Sequence, residues 1–233
     1  MQLKKFFPRH KGVIALTSGG SVDFTPTDFD SPLSPAQRAY LYRHCGVDVP
    51  QVFWRKQIHG DDIIEAAGTA GSAQGCGDAD AYMTDEKDLP IAIRTADCVP
   101  VFIFDPVHRV IGLAHAGWKG THKAIAAKTV HRMKARYASR PSDLKIVLGP
   151  GIRKCCYRVG KEFYTYFPAH LYRRDGFIYA DMMAANRDQL LQAGVPKENI
   201  FDSGLCTCCN TNYFSFRRDG PKAGRMISLM MLT

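Results

Sequence analysis

Short apolar runs alternate with polar breaks along this chain, and few of the runs are long. Ser34-Pro35 sets up a helix start, and the apolar spacing through Ala36, Tyr40 and Leu41 predicts a helix stopping at Gly46. Residues 52–58 (VFWRKQI) alternate, which predicts a strand with Val52, Trp54 and Ile58 on one face. Ile63-Ile64 predicts a short strand, and 68–77 a loop of small residues. Three apolar runs, 91–95, 99–104 and 110–114, read as buried strands. Thr121 is placed to cap a long helix over 122–137. Residues 144–148 predict another strand, closed by the turn Gly149-Pro150-Gly151. Beyond it come helices over 162–167 and 182–193, the second ending at Gly194, and strands over 214–217 and 226–232. Interspersed helices and a central hairpin point to an α+β layout rather than a regular βαβ series. With no repeat and no long linker, residues 1–233 are expected to form a single domain.

Composition narrows the class. A hydrophobic share of 45% against 23% charged excludes wholesale disorder. No apolar run is long enough to span a membrane, and residues 13–16 are too short for the apolar stretch of an export signal. A soluble, cytoplasmic protein is expected. The net charge of +9 is unevenly spread. Residues 61–120 hold four basic and ten acidic side chains, residues 121–180 thirteen basic and three acidic. The excess therefore reads as a basic flank, and no nucleic-acid partner is expected.

Eight cysteines in a chain of this length, with no export signal, predict reduced thiols. Cys155-Cys156 and Cys208-Cys209 are vicinal pairs, and Cys206 and Cys209 have the spacing C-x-x-C. With Cys155 or Cys156 these could form a structural zinc site, but buried thiols are favoured for this group.

The chemistry concentrates in residues 95–120, TADCVPVFIFDPVHRVIGLAHAGWKG. Two apolar strands flank Asp105-Pro106-Val107-His108, a connection suited to a hairpin. Pairing Phe104 with Arg109 sets Cys98 opposite His115, on one face, with Cβ atoms about 4.5–5.5 Å apart. A thiolate and an imidazole so placed can share a metal, or one can deprotonate the other. A packed Cys beside a buried His is the commoner circumstance for such a pair. His59 shifts that balance. It ends the run 52–58 and precedes Gly60, so three His/Cys groups at strand ends can converge. Two imidazoles and a thiolate leave a fourth position open, as catalytic zinc requires.

The segments QIHGDDI, DADAYMTD, IAIRTADCVPVFIFDP, VIGLAHAGWKG, LGPGIRKCCYRVG and CTCCNTNYFSFRRDG resemble the laccase-domain family. It is also called the multicopper polyphenol oxidase family, or the YfiH-type purine nucleoside phosphorylase family. The likeness runs from about residue 52 to 233, and its TADC-x-P-V and HAGW-[RK]-G motifs are highly specific. It implies mixed β-sheets packed together with flanking helices. It also implies metal ligation by His59, Cys98 and His115, the same three residues. The implied activity is zinc-dependent phosphorolysis of adenosine, inosine and methylthioadenosine, with adenosine deamination beside it. Purine nucleosides and phosphate would be the partners. Lys119 and Arg217 are then candidates to hold phosphate, with solvated surface charge as the alternative. Asp80 and Asp97 are candidate acid/base groups or orienters of an imidazole, although binding backbone N–H groups in turns is favoured. Gln57 is a candidate contact to the nucleoside.

The N-terminal region departs from the family pattern T-x-R-x-G-G-V-S. Residues 16–23 read LTSGGSVD, so the glycine pair is kept while the Arg is absent, and no N-L-G element follows. That departure bears on phosphorolysis and leaves the metal ligands untouched. Three rivals stand beside the phosphorylase reading. Copper fits the same donors, but eight His with no H-x-H pair discount laccase-type chemistry. A metal-free hydrolase would use Cys98 as nucleophile and His115 as base. A basic binding protein without enzymatic activity is the third, against which no RNA-binding motif is evident.

Overall fold

A computed structural model describes residues 3–25, 32–46, 48–68 and 77–233. The expected loop over 68–77 falls mostly outside them. The strands are β1 (Lys4–Lys5), β2 (Val13–Thr17), β3 (Ile63–Glu65), β4 (Ala81–Thr84), β5 (Ile91–Thr95), β6 (Val99–Asp105) and β7 (Val110–Ala116). They continue with β8 (Lys145–Leu148), β9 (Arg158–Val159), β10 (Leu171–Arg174), β11 (Phe177–Ala180), β12 (Ile200–Asp202) and β13 (Met226–Leu232). The helices are α1 (Pro35–Cys45), α2 (Trp118–His122), α3 (Ile125–Tyr137), α4 (Phe163–Tyr166), α5 (Met182–Gln192) and α6 (Phe216–Asp219). A six-stranded sheet has the order β12-β8-β6-β7-β4-β3, and a four-stranded sheet the order β1-β2-β13-β5. Parallel pairing of β3 with β4 and of β12 with β8, among antiparallel neighbours, makes the larger sheet mixed. A small sheet β10-β11-β9 stands apart.

Period-two alternation turns these sheets into layers. On β6, Val99, Val101 and Ile103 pack in one core cluster with Val130 and Met133 of α3 and Leu190 of α5. Phe102 and Phe104 face the other way, into a cluster with Ile91, Ile93, Met230 and Leu232 of the smaller sheet. The outer face of that sheet, Ala92, Ile227, Leu229 and Met231, packs against Tyr40 and Leu41 of α1. The order is helix, sheet, sheet, helix, the expected α+β architecture with flanking helices. No helix among the described residues is long and apolar enough to cross a membrane.

Several elements differ from the sequence expectation, each for an identifiable reason. The hairpin turn is one residue later than expected: Asp105 pairs with Val110, and Phe104 with Ile111. The Asp105 carboxylate accepts the Val107 and His108 N–H groups (2.8 and 3.1 Å), and Arg109 closes the turn at φ 54°. Residues 52–58 are not a ladder strand; a single parallel bridge joins Phe53 to Ile91. The helix expected over 122–137 starts at Ile125 as α3, after a left-handed residue at Ala124 (φ 59°) that separates it from the short α2. Thr121 lies within α2 and does not cap α3: its carbonyl accepts from the Ala124 N–H and Gln189 Nε2, and its hydroxyl from Asn186 Nδ2. Residues 214–217 enter helix α6, because the Ser215 hydroxyl accepts the Arg218 N–H and starts a helical turn.

Candidate metal centre

The three expected ligands come together. Donor atoms of His59, Cys98 and His115 lie within 4.8 Å of one another at one end of the β6–β7 hairpin. The register there is shifted by two residues from the expectation, since His115 pairs with Pro100. An even shift preserves the face, so Cys98 and His115 remain diagonal neighbours on one side of the sheet. The position across from Cys98 is then Gly117. Its missing side chain is the space that His59 enters, for a Cβ there would stand 2.7 Å from His59 Cδ2 and 3.0 Å from Cys98 Sγ.

Asp80 organises this trio. Fully buried, its carboxylate accepts the Ile58, His59 and Gly60 N–H groups (3.0, 3.1 and 2.7 Å). These bonds hold His59 in the left-handed region at φ 58°, a conformation unfavourable for a residue with a Cβ. The same carboxylate takes His115 Nδ1 at 2.6 Å, which leaves Nε2 as the nitrogen available to a metal. Asp80 thus binds turn N–H groups and orients an imidazole, two of the three roles the sequence leaves open to it. Burial pushes its carboxyl up, but His115 and the backbone donors outweigh this and hold it below the usual value. Burial likewise raises the Cys98 thiol, and His115 and His59 beside it bring it down to about 6. Burial lowers His115, which its partners Cys98 and Asp80 raise to about 9. The donor set, a thiolate with two imidazoles, one of them braced by a carboxylate, fits a borderline-soft divalent cation.

Asp97, beside Cys98, also has a positive φ, 94°. Its carboxylate accepts the Thr207 hydroxyl (2.6 Å) and the Arg217 N–H (2.7 Å), and its carbonyl accepts the Ile152 N–H. It thereby ties three distant segments around the site. Gln57 spends its amide on the backbone of Arg94, donating to the carbonyl and accepting the N–H (2.9 and 2.8 Å). The Arg217 guanidinium donates to the Arg158 carbonyl (2.6 Å) and lies over the Tyr157 ring. Lys119 stands over the indole of Trp118.

Two cavities of about 450 and 350 Å³ meet at the trio, sharing His59, Cys98, Asp97, Tyr157 and Phe216. Gln57 and Arg217 border the larger one and Lys119 the smaller. Sequence reasoning missed Arg94 and Arg225, which border the larger cavity, and the aromatic faces of Tyr157 and Phe216. Burial lowers the Arg94 guanidinium to about 10, so it stays charged near neutral pH. A lone cation inside the apolar run IAIRT was the available signal for Arg94; Arg225 carried none.

A mixed-sheet α+β protein with a His/Cys/His donor cluster at the mouth of a strand-end cavity is the class that fold and site define. The chain belongs to the multi-copper polyphenol oxidoreductase laccase family, whose model matches residues 5–233. It is 33% identical over 189 residues to a purine nucleoside phosphorylase of Clostridium acetobutylicum, covering 79% of this chain and 78% of that one. To a purine nucleoside phosphorylase of Deinococcus radiodurans it is 34% identical over 209 residues, covering 87% and 79%. The solved structure of YlmD from Geobacillus stearothermophilus superposes with a TM-score of 0.83 at 29% identity, covering 97% of this chain and 93% of that one. That of YfiH from Bacillus licheniformis gives 0.82 at 30% identity, with 95% and 93% covered.

Proposed function

We propose that this protein is a zinc-dependent purine nucleoside phosphorylase acting on adenosine, inosine and methylthioadenosine, with adenosine deamination as a companion activity. The observation that carries the reading is the His59–Cys98–His115 cluster opening into a cavity that three guanidinium groups also border. Relatives named purine nucleoside phosphorylase support it. His59, Cys98 and His115 would hold the ion, with Asp80 orienting His115. Bound zinc supplies Lewis acidity and brings the pKa of water toward about 7, which suits deamination. Copper, if offered, competes for the same donors.

Phosphorolysis needs little from the protein but placement and charge. A phosphate oxygen bonds to the ribose carbon bearing the base, the bond from that carbon to the base nitrogen breaks, and the base leaves with the electron pair. Arg94, Arg217 and Arg225 offset the phosphate charge in this reading, and Lys119 does so from the smaller cavity. Tyr157 and Phe216 offer ring faces to the purine. Asp97 acts as a positioning residue, holding the Arg217 backbone. Arg94 and Arg225 offer the cationic charge that the N-terminal region lacks, with its motif Arg absent.

The test is purified, zinc-loaded protein with each nucleoside, plus and minus phosphate, with free bases and sugar phosphates separated. Phosphate-dependent release of base is expected, and no product under any condition overturns the assignment. The depressed Cys98 thiol beside His115 also suits a metal-free thiol hydrolase. Activity lost to chelator and restored by zinc excludes that reading; activity in metal-free protein, abolished by thiol alkylation, supports it.

A further inference from the structure

A second donor cluster, made of sulfur alone, lies behind the cavity wall. One turn, in which the Cys156 and Tyr157 N–H groups both close on the Arg153 carbonyl (2.9 Å each), presents Cys155 and Cys156. A second turn, closed by the Asn210 N–H on the Cys206 carbonyl (3.1 Å), presents Cys206 and Cys209. The two are laid side by side by the bridge between Gly151 and Cys206, with the Thr207 N–H donating to the Gly151 carbonyl. The four Sγ atoms lie within 4.8 Å of one another, and Cys209 Sγ is 3.4 Å from that of Cys155 and 3.1 Å from that of Cys156. Four thiolates around zinc at about 2.3 Å stand roughly 3.8 Å apart along each tetrahedral edge.

We propose that Cys155, Cys156, Cys206 and Cys209 hold a structural zinc ion as a closed tetrathiolate site. The spacing suits one ion shared by all four sulfurs better than two disulfides. Cys209 is nearly equidistant from two partners, and Cys155 and Cys156 are chain neighbours. A tetrathiolate zinc carries two negative charges, and cationic side chains, each also paired with a carboxylate, lie close to it. Arg174 donates to the Cys155 carbonyl (3.0 Å) and Arg218 to the Cys208 carbonyl (3.2 Å), with Arg153 and Lys154 on the first turn itself. Buried thiols, favoured from the sequence, fit less well, because Cys155 and Cys209 are exposed.

The consequence reaches the cavity. Tyr157, which borders it, directly follows Cys156, and Thr207, which binds Asp97, sits between Cys206 and Cys208. The ion would therefore clamp two walls of the site without touching substrate. This inference does not depend on what the substrate is.

Metal content of the full chain, measured by elemental analysis and native mass spectrometry, tests it. The double variant His59→Ala/His115→Ala is expected to retain one zinc per chain, and adding Cys206→Ser and Cys209→Ser to lose it. Cobalt substituted into the first variant should show the strong visible and thiolate-to-metal bands of a tetrahedral tetrathiolate. Cys209→His, which keeps a ligand, is expected to retain the ion even if the serine variants fail to fold. Folded His59→Ala/His115→Ala protein without zinc overturns the proposal. So does a metal-free wild type lighter by two hydrogens per disulfide.

Discussion

Gly117 leaves no room for one more carbon atom. Its φ of −69° is open to any residue, so only His59 and Cys98 demand a glycine there. Gly117→Ala is expected to displace His59 and cut activity at least about tenfold, at a cost of about 1–3 kcal/mol in unfolding free energy. Steady-state kinetics beside a urea titration separates the two effects. Asp80→Asn keeps the shape but replaces one accepting oxygen by a donor. Metal affinity is expected to fall about 10–100-fold, read by competition with a coloured chelator. At this scale the sequence was informative where chemistry is written in residue type. His59, Cys98 and His115 stood out as three soft donors at strand ends. Arg225 did not, since it meets the cavity only through β13 lying beside β5, a long-range fact with no local mark.

Elements were legible in proportion to how local their determinants are. Helix α1 matched the expectation from cap to cap because everything that bounds it is within reach: the Ser34 and Gln37 capping box, Pro35 in the first turn, and Gly46 left-handed at the end. The break at Ala124 was not legible, since it depends on Asn186 and Gln189 reaching in from α5. The β6–β7 hairpin lies between these cases. Its strands were evident, but its register turns on Asp105, which binds the Val107 and His108 N–H groups and His108 Nδ1 at 2.9 Å. Asp105→Ala is expected to cost about 1–3 kcal/mol in urea unfolding, because the turn loses its hydrogen bonds to a charged, buried acceptor. Burial raises this carboxyl, but its hydrogen bonds hold it below its ordinary value. A depressed carboxyl stabilises above its unfolded pKa of about 3.9 and loses that contribution as pH falls through the folded value. The stability gap between wild type and Asp105→Asn should therefore be widest above about pH 4 and close at lower pH.

Across the whole molecule, the proposed ion joins parts that the layers alone do not. The segment bearing His59 has little ladder pairing; Val52, Phe53 and Trp54 anchor its start in the core, and its end is held by Asp80, Gln57 and the donor cluster. Removing metal is therefore expected to loosen the fold as well as stop catalysis. An ion held at 100 times its dissociation constant contributes about 2.7 kcal/mol, so the melting temperature should fall on dialysis against chelator and recover with zinc. A melting temperature indifferent to metal concentration would count against a resident ion in either cluster.

Strand β13 has a further consequence, for the time course of folding. It lies inside the smaller sheet, with Leu232 beside Val13 on one side and Met226 beside Thr95 on the other. Neither β2 nor β5 has its inner partner until that distant segment arrives, and closing so large a loop is entropically slow. Until then both strands offer unpaired edges to any other chain, so the sheet that closes last is also the one most exposed to mispairing. Refolding yield should thus depend steeply on protein concentration, and the larger sheet should gain protection from hydrogen exchange before the smaller one.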